Sequence, residues 1–283
     1  MGQHRMKIFQ YPIAITLFYL MFFPGVSIAE PKKSYTIGIV PQFEIRHLRK
    51  IWNPIISELE KSAGYKLQFK GSPTISDFEK ELNNGKFDFA YMNPYHMLLA
   101  NKAQGYEPLI RDNGRQLHGI LVVKRGSNIK TIHDLNGKKI AFPAPNALGA
   151  SLLIRANLKN QFKIDFEPIY VKTHSSVYLN IIVNQTAAGG GVQKTLNQQS
   201  ENIKSGLRIL HRSPKVSPHP FAAHPRVPVE VQRTIQDMLI KMDSHSLGRA
   251  LLEKIPMKKV GAATMKDYQQ LKNMGLEEFY VTQ

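Results

Sequence analysis

Histidine and serine stand side by side in Thr173-His174-Ser175-Ser176, between a predicted strand at 166–171 and a predicted helix that runs to residue 184. Such a pair is the least that a nucleophile and its base require. Neighbours in sequence do not form a catalytic triad, however, and the chain has no Gly-x-Ser-x-Gly turn. We therefore predict a binding protein, not an enzyme. We interpret His174 as a ligand-binding imidazole, with a capping or surface role as the alternative.

A second candidate site lies in the stretch 139–151, where an apolar strand passes through a Pro-rich turn into a helix predicted from about residue 147. The first N–H groups of a helix lack partners within it, and the helix dipole places positive charge there. Such a terminus is suited to an anion. The expected ligand contacts in this stretch are Asn146, Ala147, Leu148 and Ser151.

A third candidate is the turn Asn93-Pro94-Tyr95-His96, which follows a predicted strand at 86–92 and begins a predicted helix at 95–104. Ligands of open α/β sheets bind at the carboxyl ends of strands, which places this turn at a site. Tyr95 and Asn93 are the candidate ligand residues. A core position for Tyr95 and a turn-forming role for Asn93 and His96 are the alternatives.

Neither a metal nor a cofactor is predicted. The chain contains no Cys, so thiolate ligands and disulfides are excluded. His211, His219 and His224 lie close together in sequence, but the segment is Pro-rich and their spacing fits no compact metal motif. Gly189-Gly190-Gly191 lacks the Lys and Ser/Thr of a phosphate-binding loop. We interpret these glycines as close backbone packing or as space for a ligand.

The first 29 residues have the pattern of a cleavable secretory signal peptide. Arg5 and Lys7 precede an apolar run at 8–23, and Ser27-Ile28-Ala29 supplies the small residues of a cleavage site. A membrane anchor is the alternative, although the run contains Pro12 and is shorter than the roughly 20 residues of a spanning helix. We expect a protein released into a periplasm.

The chain is strongly basic, and its formal charge of +17 falls to +15 when the predicted signal peptide is removed. A positive field attracts anions over long distances. Export makes nucleic acid an unsuitable partner, so a small anion is the expected ligand. The alternative is that scattered Lys and Arg residues only keep the surface soluble.

The remaining chain alternates strands with helices, and a polar turn follows most of the strands. This alternation predicts an α/β fold. We expect two lobes with a ligand cleft between them, each with a mixed sheet flanked by helices. Lobe I is predicted at 30–120 and 221–283, lobe II at 121–220, and the chain is expected to cross between them near 119–124 and 212–224.

The order and spacing of several motifs resemble the periplasmic phosphonate, phosphite and phosphate binding proteins of ABC importers. The resemblance covers about residues 35–280. It is carried by Ile37-Gly38-Ile39-Val40-Pro41, by Phe87-Asp88-Phe89-Ala90-Tyr91-Met92-Asn93-Pro94-Tyr95-His96, by Asp134-Leu135-Asn136-Gly137-Lys138-Lys139-Ile140-Ala141-Phe142, by the His174 turn and by Ser217-Pro218-His219-Pro220-Phe221.

The resemblance implies a type II periplasmic binding fold that captures a small oxyanion by closure of the lobes. It also implies that Tyr95 and His174 contact the ligand from opposite lobes. Two family features are missing: the Ser/Thr run is replaced by Asn146-Ala147-Leu148, and no acidic residue stands at 187–191. The implied partner is an ABC permease. Ligand sensing for a membrane kinase or receptor, possibly with another ligand, is the alternative function.

Overall fold

The computed structural model describes residues 1–3, 33–255 and 257–282. The predicted signal peptide therefore lies almost entirely outside the described residues. The strands β1 to β11 are, in chain order, Ser34–Ile39, Lys66–Gly71, Phe89–Tyr91, Glu107–Asp112, Ile120–Lys124, Lys138–Phe142, Phe166–Tyr170, Ala188–Gly191, Leu207–Arg212, Phe221–Ala223 and Val260–Ala262. The α-helices α1 to α9 are Ile45–Ala63, Ile75–Asn83, Pro94–Gln104, Leu153–Ala156, His174–Ile182, Gln193–Asn197, Glu201–Ser205, Val229–Met242 and Ser246–Leu252.

The strands form two mixed sheets, each of which defines a lobe. The first lobe has six strands in the order β11-β4-β10-β3-β1-β2, and the second has five in the order β7-β6-β8-β5-β9. In each lobe a parallel centre, β2-β1-β3 or β7-β6-β8, is extended by antiparallel strands. The predicted fold class, α/β with two lobes that each contain a mixed sheet flanked by helices, is confirmed.

Helix α1 shows how an apolar stripe places a helix on the first sheet. Its buried residues are Leu48, Ile51, Trp52, Ile55, Ile56 and Leu59. These positions recur at helical spacing and so share one face. The helix ends at Gly64, whose φ of 74° is the left-handed conformation that favours glycine at this position. The stripe packs into the main hydrophobic core of the first lobe.

Two extended segments, 113–119 and 213–220, connect the sheets. They pair with each other through the backbone of Leu117 and Val216, whose reciprocal N–H···O hydrogen bonds measure 2.9 and 2.8 Å. Strand β5, which follows the first segment, lies between β8 and β9 in the second sheet. The lobe boundaries at 120 and 220 and the crossings near 119–124 and 212–224 remain predictions.

The local structure departs from the sequence expectations in three places. The helix predicted from about residue 147 is a segment in which α4 is flanked by π-helical turns at Leu148–Leu152 and Asn157–Gln161. The polar helix predicted at 193–202 is divided into α6 and α7. Strand β11 is not predicted, because three residues with one glycine give no periodic pattern.

Candidate functional site: a buried cavity between the lobes

A buried cavity of about 20 Å³ lies between the two lobes, beyond the carboxyl ends of strands from both sheets. This volume is about that of one water-sized sphere. The cavity is lined by Val40, Gln42, Ile75, Asn93, Leu117, Ala147, Leu148, Gly149, Ala150, His174, Val192 and His219. In the described part of the chain, no lysine, arginine, aspartate or glutamate lines it. Its polar character comes from amides, imidazoles and the backbone.

The backbone at the start of the helical segment supplies unpaired donors. In residues 33–255 and 257–282, the N–H groups of Leu148, Gly149 and Ala150 make no hydrogen bond, whereas that of Ser151 donates to the Ala147 carbonyl oxygen at 2.7 Å. All three unpaired residues are buried and line the cavity. Buried backbone N–H groups are almost always paired in folded proteins. These three donors therefore favour a ligand that brings acceptor oxygens.

His174 is the first residue of α5, after Thr173, whose hydroxyl caps the helix by accepting from the Ser176 N–H. Only 4% of His174 is exposed, and its Nδ1 lies 3.2 Å from the Thr195 hydroxyl. Burial lowers the pKa of His174 to about 4, because the imidazolium loses its hydration. The ring is neutral at pH 7 and offers one donor or acceptor to the cavity.

His219 reaches the cavity from the connecting segment before β10. Its ring stacks on Tyr91 with centroids 5.4 Å apart, and its Nε2 lies 3.0 Å from Nε2 of Gln42. Burial, with the nearby His96 and His174, lowers its pKa to about 3. The sequence places His219 in the motif at 217–221 and among three histidines considered for a metal, and neither pattern predicts a ligand contact. Its partners, in β3 and after β1, are far away in sequence.

Asn93 lines the cavity and also stabilises two structures around it. Its Oδ1 caps helix α3 by accepting from the N–H groups of Tyr95 at 2.9 Å and His96 at 2.8 Å. Its Nδ2 donates to the Asn146 carbonyl oxygen at 3.3 Å, which joins the first lobe to the second. The turn-forming role is thus present in the structure. Ligand contact by Asn93 remains a prediction.

Asn146 adjoins the cavity-lining Ala147, but its side chain binds protein groups. Its Nδ2 donates to Oε2 of Glu79 and to the Val281 carbonyl oxygen, both at 2.9 Å, and its Oδ1 accepts from the Val281 N–H at 2.9 Å. The other oxygen of Glu79 lies 2.6 Å from Nε2 of His96. This network connects both lobes and the chain end, and a ligand role for Asn146 remains a prediction.

Tyr95 is not among the residues that line the cavity. Its ring lies in an apolar cluster with Leu148, Leu152 and Leu276. The ring packs against Tyr280, with centroids 5.5 Å apart. Helix α3 begins at Pro94, and the packing carries the Tyr95 side chain toward the C-terminal segment. The structure therefore does not bring Tyr95 together with His174, and its ligand contact remains a prediction.

Ser151 is also separate from the cavity lining. Its hydroxyl accepts from Nε of Arg155 at 3.0 Å, and Nη2 of that arginine donates to the carbonyl oxygens of Pro145 and Phe279, both at 2.6 Å. The guanidinium is largely buried, and desolvation lowers the pKa of Arg155. The hydroxyl expected to bind an anion instead helps to hold the chain end. A ligand contact by Ser151 remains a prediction.

Gly189, Gly190 and Gly191 of β8 pack too closely against their neighbours for any side chain. A Cβ on Gly190 would lie 1.8 Å from the Ala150 carbonyl oxygen, and one on Gly191 would lie 2.3 Å from the Tyr178 hydroxyl. Of the two interpretations, close backbone packing is the one that the structure supports. These glycines bring the helix start that contains Ala150 against the sheet.

The three histidines considered for a metal do not meet. His211 contacts the Asn157 side chain, His219 lines the cavity, and His224 packs edge-on against Tyr106 with centroids 5.0 Å apart. The described residues contain no cluster of three His, Asp or Glu side chains that could hold a metal ion. The cavity-lining side chains His174 and His219 offer hydrogen bonds to a small ligand.

The protein has two mixed β-sheets flanked by helices, with two extended segments between the sheets and a polar cavity at their strand ends. This arrangement defines a two-lobe solute-binding protein of the type II periplasmic class. Comparison with known proteins gives the family. The model of the family described as "ABC transporter, phosphonate, periplasmic substrate-binding protein" matches residues 37–268. The chain belongs to this family.

Known relatives agree with this assignment. The chain is 22% identical over 228 residues to the phosphate-import protein PhnD of Mycolicibacterium smegmatis, with 73% of this chain and 71% of the relative covered. A crystal structure of a binding-protein component of an ABC phosphonate transporter from Pseudomonas aeruginosa is similar with a TM-score of 0.79, 14% identity and 86% of each chain covered. The structure of PhnD1 from Prochlorococcus marinus in complex with methylphosphonate is similar with a TM-score of 0.77 and 15% identity. The match covers 87% of this chain and 98% of that chain.

The predicted resemblance and the predicted function, the solute-binding component of an ABC importer, are confirmed at the level of the family. The family is one of transport proteins that bind a substrate. Among the described residues, no helix has the length and apolar character needed to cross a membrane.

Proposed function

We propose that this protein captures a tetrahedral oxyanion of the phosphonate, phosphite or phosphate class in the cavity between its lobes. The observation that carries the proposal is the set of three unpaired, buried N–H groups at Leu148, Gly149 and Ala150. A tetrahedral oxyanion has several acceptor oxygens on one small centre and can accept from all three donors. The positive end of the helix dipole lies at these N–H groups and adds to the attraction for an anion.

The imidazoles of His174 and His219 supply the remaining polar contacts. Each is neutral at pH 7 in this structure, and each can donate from one ring nitrogen to a ligand oxygen. The apolar side chains of Ile75, Leu117 and Val192 line the same cavity and suit a small apolar substituent or none. Affinity would come from hydrogen bonds that are shielded from water, since no lysine or arginine of the described residues lines the cavity.

Lobe separation and closure would admit and enclose the ligand. The cavity of about 20 Å³ has room for one water-sized sphere, which is less than a tetrahedral oxyanion needs. The lobes would therefore close less completely on a ligand than they do here. Ligand binding would shift the population of open and closed forms, and a membrane partner would respond to that shift.

The partner in this proposal is an ABC permease, as the family implies, and the site of action is a periplasm, to which the predicted signal peptide at 1–29 directs the chain. The protein would release its ligand unchanged. His174, the side chain with the most suitable chemistry for catalysis, is paired with Thr195 and has no acidic partner among the described residues.

A thermal-shift series on residues 30–283 tests the proposal, since a ligand that binds only the folded state raises its melting temperature. The series contains phosphate, phosphite, methylphosphonate, 2-aminoethylphosphonate, sulfate and small carboxylates. We expect at least one phosphorus oxyanion to stabilise the protein. We expect no added gain from the amine, because no carboxylate among residues 33–255 and 257–282 lines the cavity. Stabilisation only by uncharged or cationic compounds would contradict the proposal.

A further inference from the structure

His174 presents one ring nitrogen to the protein and the other to the buried cavity. Its Nδ1 lies 3.2 Å from the hydroxyl of Thr195, the third residue of α6. Its Nε2 has no hydrogen-bond partner in the described part of the chain and is not enclosed by protein atoms. A neutral imidazole carries its proton on only one nitrogen, so the group that meets Nδ1 determines whether Nε2 donates or accepts.

Thr195 meets Nδ1 with an oxygen that needs a donor. The Thr195 hydroxyl donates to the Val192 carbonyl oxygen, three residues earlier, at 2.9 Å. The Tyr178 hydroxyl lies 2.7 Å from the Thr195 oxygen and 3.4 Å from that carbonyl, so its proton goes to Thr195. Burial raises the pKa of Tyr178, and the phenol keeps this proton. A hydroxyl oxygen accepts two hydrogen bonds, and the second position faces His174.

The hydrogen-bond lengths around Thr195 determine the tautomer of His174. If the Thr195 hydroxyl turned its proton to Nδ1, it would exchange a contact of 2.9 Å for one of 3.2 Å. The shorter contacts therefore assign the imidazole proton to Nδ1, which donates to Thr195. Nε2 then faces the cavity as an acceptor, and this tautomer restricts the choice that a neutral imidazole otherwise leaves open.

An acceptor beside three donors constrains the ligand. The N–H groups of Leu148, Gly149 and Ala150 line the same cavity and suit oxygens that carry no proton. An oxygen of that kind would meet Nε2 of His174 with one lone pair against another, and a hydrogen bond would be lost in a site shielded from water. An oxygen that carries a proton donates to Nε2 instead.

The titratable groups around His174 leave this arrangement unchanged near neutral pH. His219 faces the same cavity and is neutral, because its pKa is lowered to about 3. Lys194 precedes Thr195 in α6, and desolvation lowers its pKa to about 8. Its Nζ is directed to the Lys254 carbonyl oxygen, to which it donates at 2.7 Å. In residues 33–255 and 257–282, no lysine, arginine, aspartate or glutamate lines the cavity.

We infer that Thr195 is a positioning residue that holds His174 as a hydrogen-bond acceptor, so that the cavity selects an oxyanion with a P–OH group over the fully deprotonated form. For a phosphonate, the bound species is the monoanion. This assignment rests on the proposed function, because the oxyanion must occupy the cavity. It goes beyond that function by naming the protonation state of the ligand and the residues that determine it.

Isothermal titration calorimetry of residues 30–283 with methylphosphonate between pH 6 and pH 9 tests the assignment. Methylphosphonate passes from the monoanion to the dianion within this range. Above its second pKa the protonated fraction falls tenfold per pH unit, so the Kd calculated from total ligand should rise by about tenfold per unit. Sulfate carries no proton here and should not displace methylphosphonate. A Kd that stays constant or falls as the pH rises would overturn the assignment, as would displacement by equimolar sulfate.

Thr195→Val removes the hydroxyl but keeps the shape of the side chain. An Nδ1–H of His174 would then be buried without a partner, so the proton moves to Nε2 and can be donated to the dianion. The rise of Kd with pH should disappear in this variant and persist in Thr195→Ser. Thr234→Val, which removes a hydroxyl bonded to a backbone carbonyl in α8, and Lys194→Gln are the controls and should keep the rise. A rise of equal size in Thr195→Val would overturn the role of Thr195.

Long-range ¹H–¹⁵N NMR of the histidine side chains measures the tautomer in the unaltered protein, whether or not the Thr195 variants fold. The signals that disappear in His174→Gln identify His174. We expect a protonated Nδ1 and an unprotonated Nε2 at pH 7, and a protonated Nε2 would overturn the assignment. That result, or a constant Kd, would leave oxyanion capture intact. Failure of every phosphorus oxyanion to bind at any pH in the range would instead overturn the proposed function, and this assignment with it.

Discussion

The carboxylate of Glu79 accepts a hydrogen bond from Nδ2 of Asn146 at 2.9 Å, and thereby joins helix α2 of the first lobe to the turn after β6 in the second. Its other oxygen lies 2.6 Å from His96 Nε2. Both acceptor and donor are almost fully buried, with 3% of Glu79 and 1% of Asn146 exposed. The contact between the two lobes is therefore stabilised by a polar interaction that involves no ligand.

The variant Asn146→Ala should favour the open form. It removes the hydrogen bonds to Glu79 and Val281 and leaves a buried carboxylate oxygen without its donor, at a cost of about 2–3 kcal/mol. Small-angle X-ray scattering without ligand should give a larger radius of gyration than for the unaltered protein. Asn202→Ala, at an exposed position, is the control. An unchanged scattering curve for Asn146→Ala would show that this contact does not determine closure.

The buried histidines should make the ligand-free protein less stable in mild acid. His174 and His219 have pKa values lowered to about 4 and about 3, whereas the unfolded chain binds their protons near pH 6.5. Above pH 6.5 both histidines are neutral in the folded and in the unfolded state, so stability is fully present. As the pH falls below 6.5, only the unfolded chain gains protons, so stability is lost by at most about 1.4 kcal/mol per pH unit for each histidine.

Urea unfolding between pH 7 and pH 5 measures this effect. The slope of unfolding free energy against pH should become shallower in His174→Gln and in His219→Gln. Glutamine keeps a hydrogen-bonding amide but does not titrate. The control His133→Gln, at an exposed position, should leave the slope unchanged. Equal slopes in all four proteins would contradict the assignment of buried, neutral histidines.

Arg155 should contribute to stability through its fixed hydrogen bonds as well as its charge. Its guanidinium donates to Ser151 Oγ and to the carbonyl oxygens of Pro145 and Phe279. Arg155→Lys keeps the charge but loses the planar donor arrangement, so we expect a loss of about 2 kcal/mol in urea unfolding. Arg233→Lys, at an exposed position of α8, should change stability by less than about 0.5 kcal/mol. Equal stability of the two variants would contradict this role.

Gly190→Ala tests whether the glycines of β8 serve packing. The added methyl group would meet the Ala150 carbonyl oxygen at 1.8 Å and the Phe142 ring at 2.8 Å. Relief of this clash must displace the helix start, so we expect a loss of about 3 kcal/mol. Gly114→Ala, whose nearest contact would be 3.1 Å, is the control. A Gly190→Ala protein with normal stability would show that the strand can move away from the helix start.

The sequence predicts the fold well because its signals are local. The stripe from Leu48 to Leu59, the Asn93 cap and the strand before residue 143 each express their structure within a few residues. The site depends on contacts between distant segments. His219 meets Gln42 across 177 residues, and Asn146 meets Val281 across 135. Such pairings determine which polar groups remain available for a ligand, and no local pattern contains them.

The side chains of Tyr95 and Ser151 also depend on a distant segment of the chain. Each stands where a strand-turn-helix pattern places a ligand residue. The direction of each side chain depends on the C-terminal segment, where Tyr280 packs on Tyr95 and Phe279 accepts from Arg155, the partner of Ser151. The local pattern of the turn does not contain this packing, because the C-terminal segment lies nearly 200 residues from Tyr95.

The most direct test of the account is a ¹H–¹⁵N NMR titration of residues 30–283 with methylphosphonate. In the proposed complex, an oxyanion accepts hydrogen bonds from the N–H groups of Leu148, Gly149 and Ala150. We predict that these three amide protons shift downfield together and saturate at one ligand per protein. Saturable binding that leaves all three resonances in place, and moves only amides distant from the cavity, would contradict the claim.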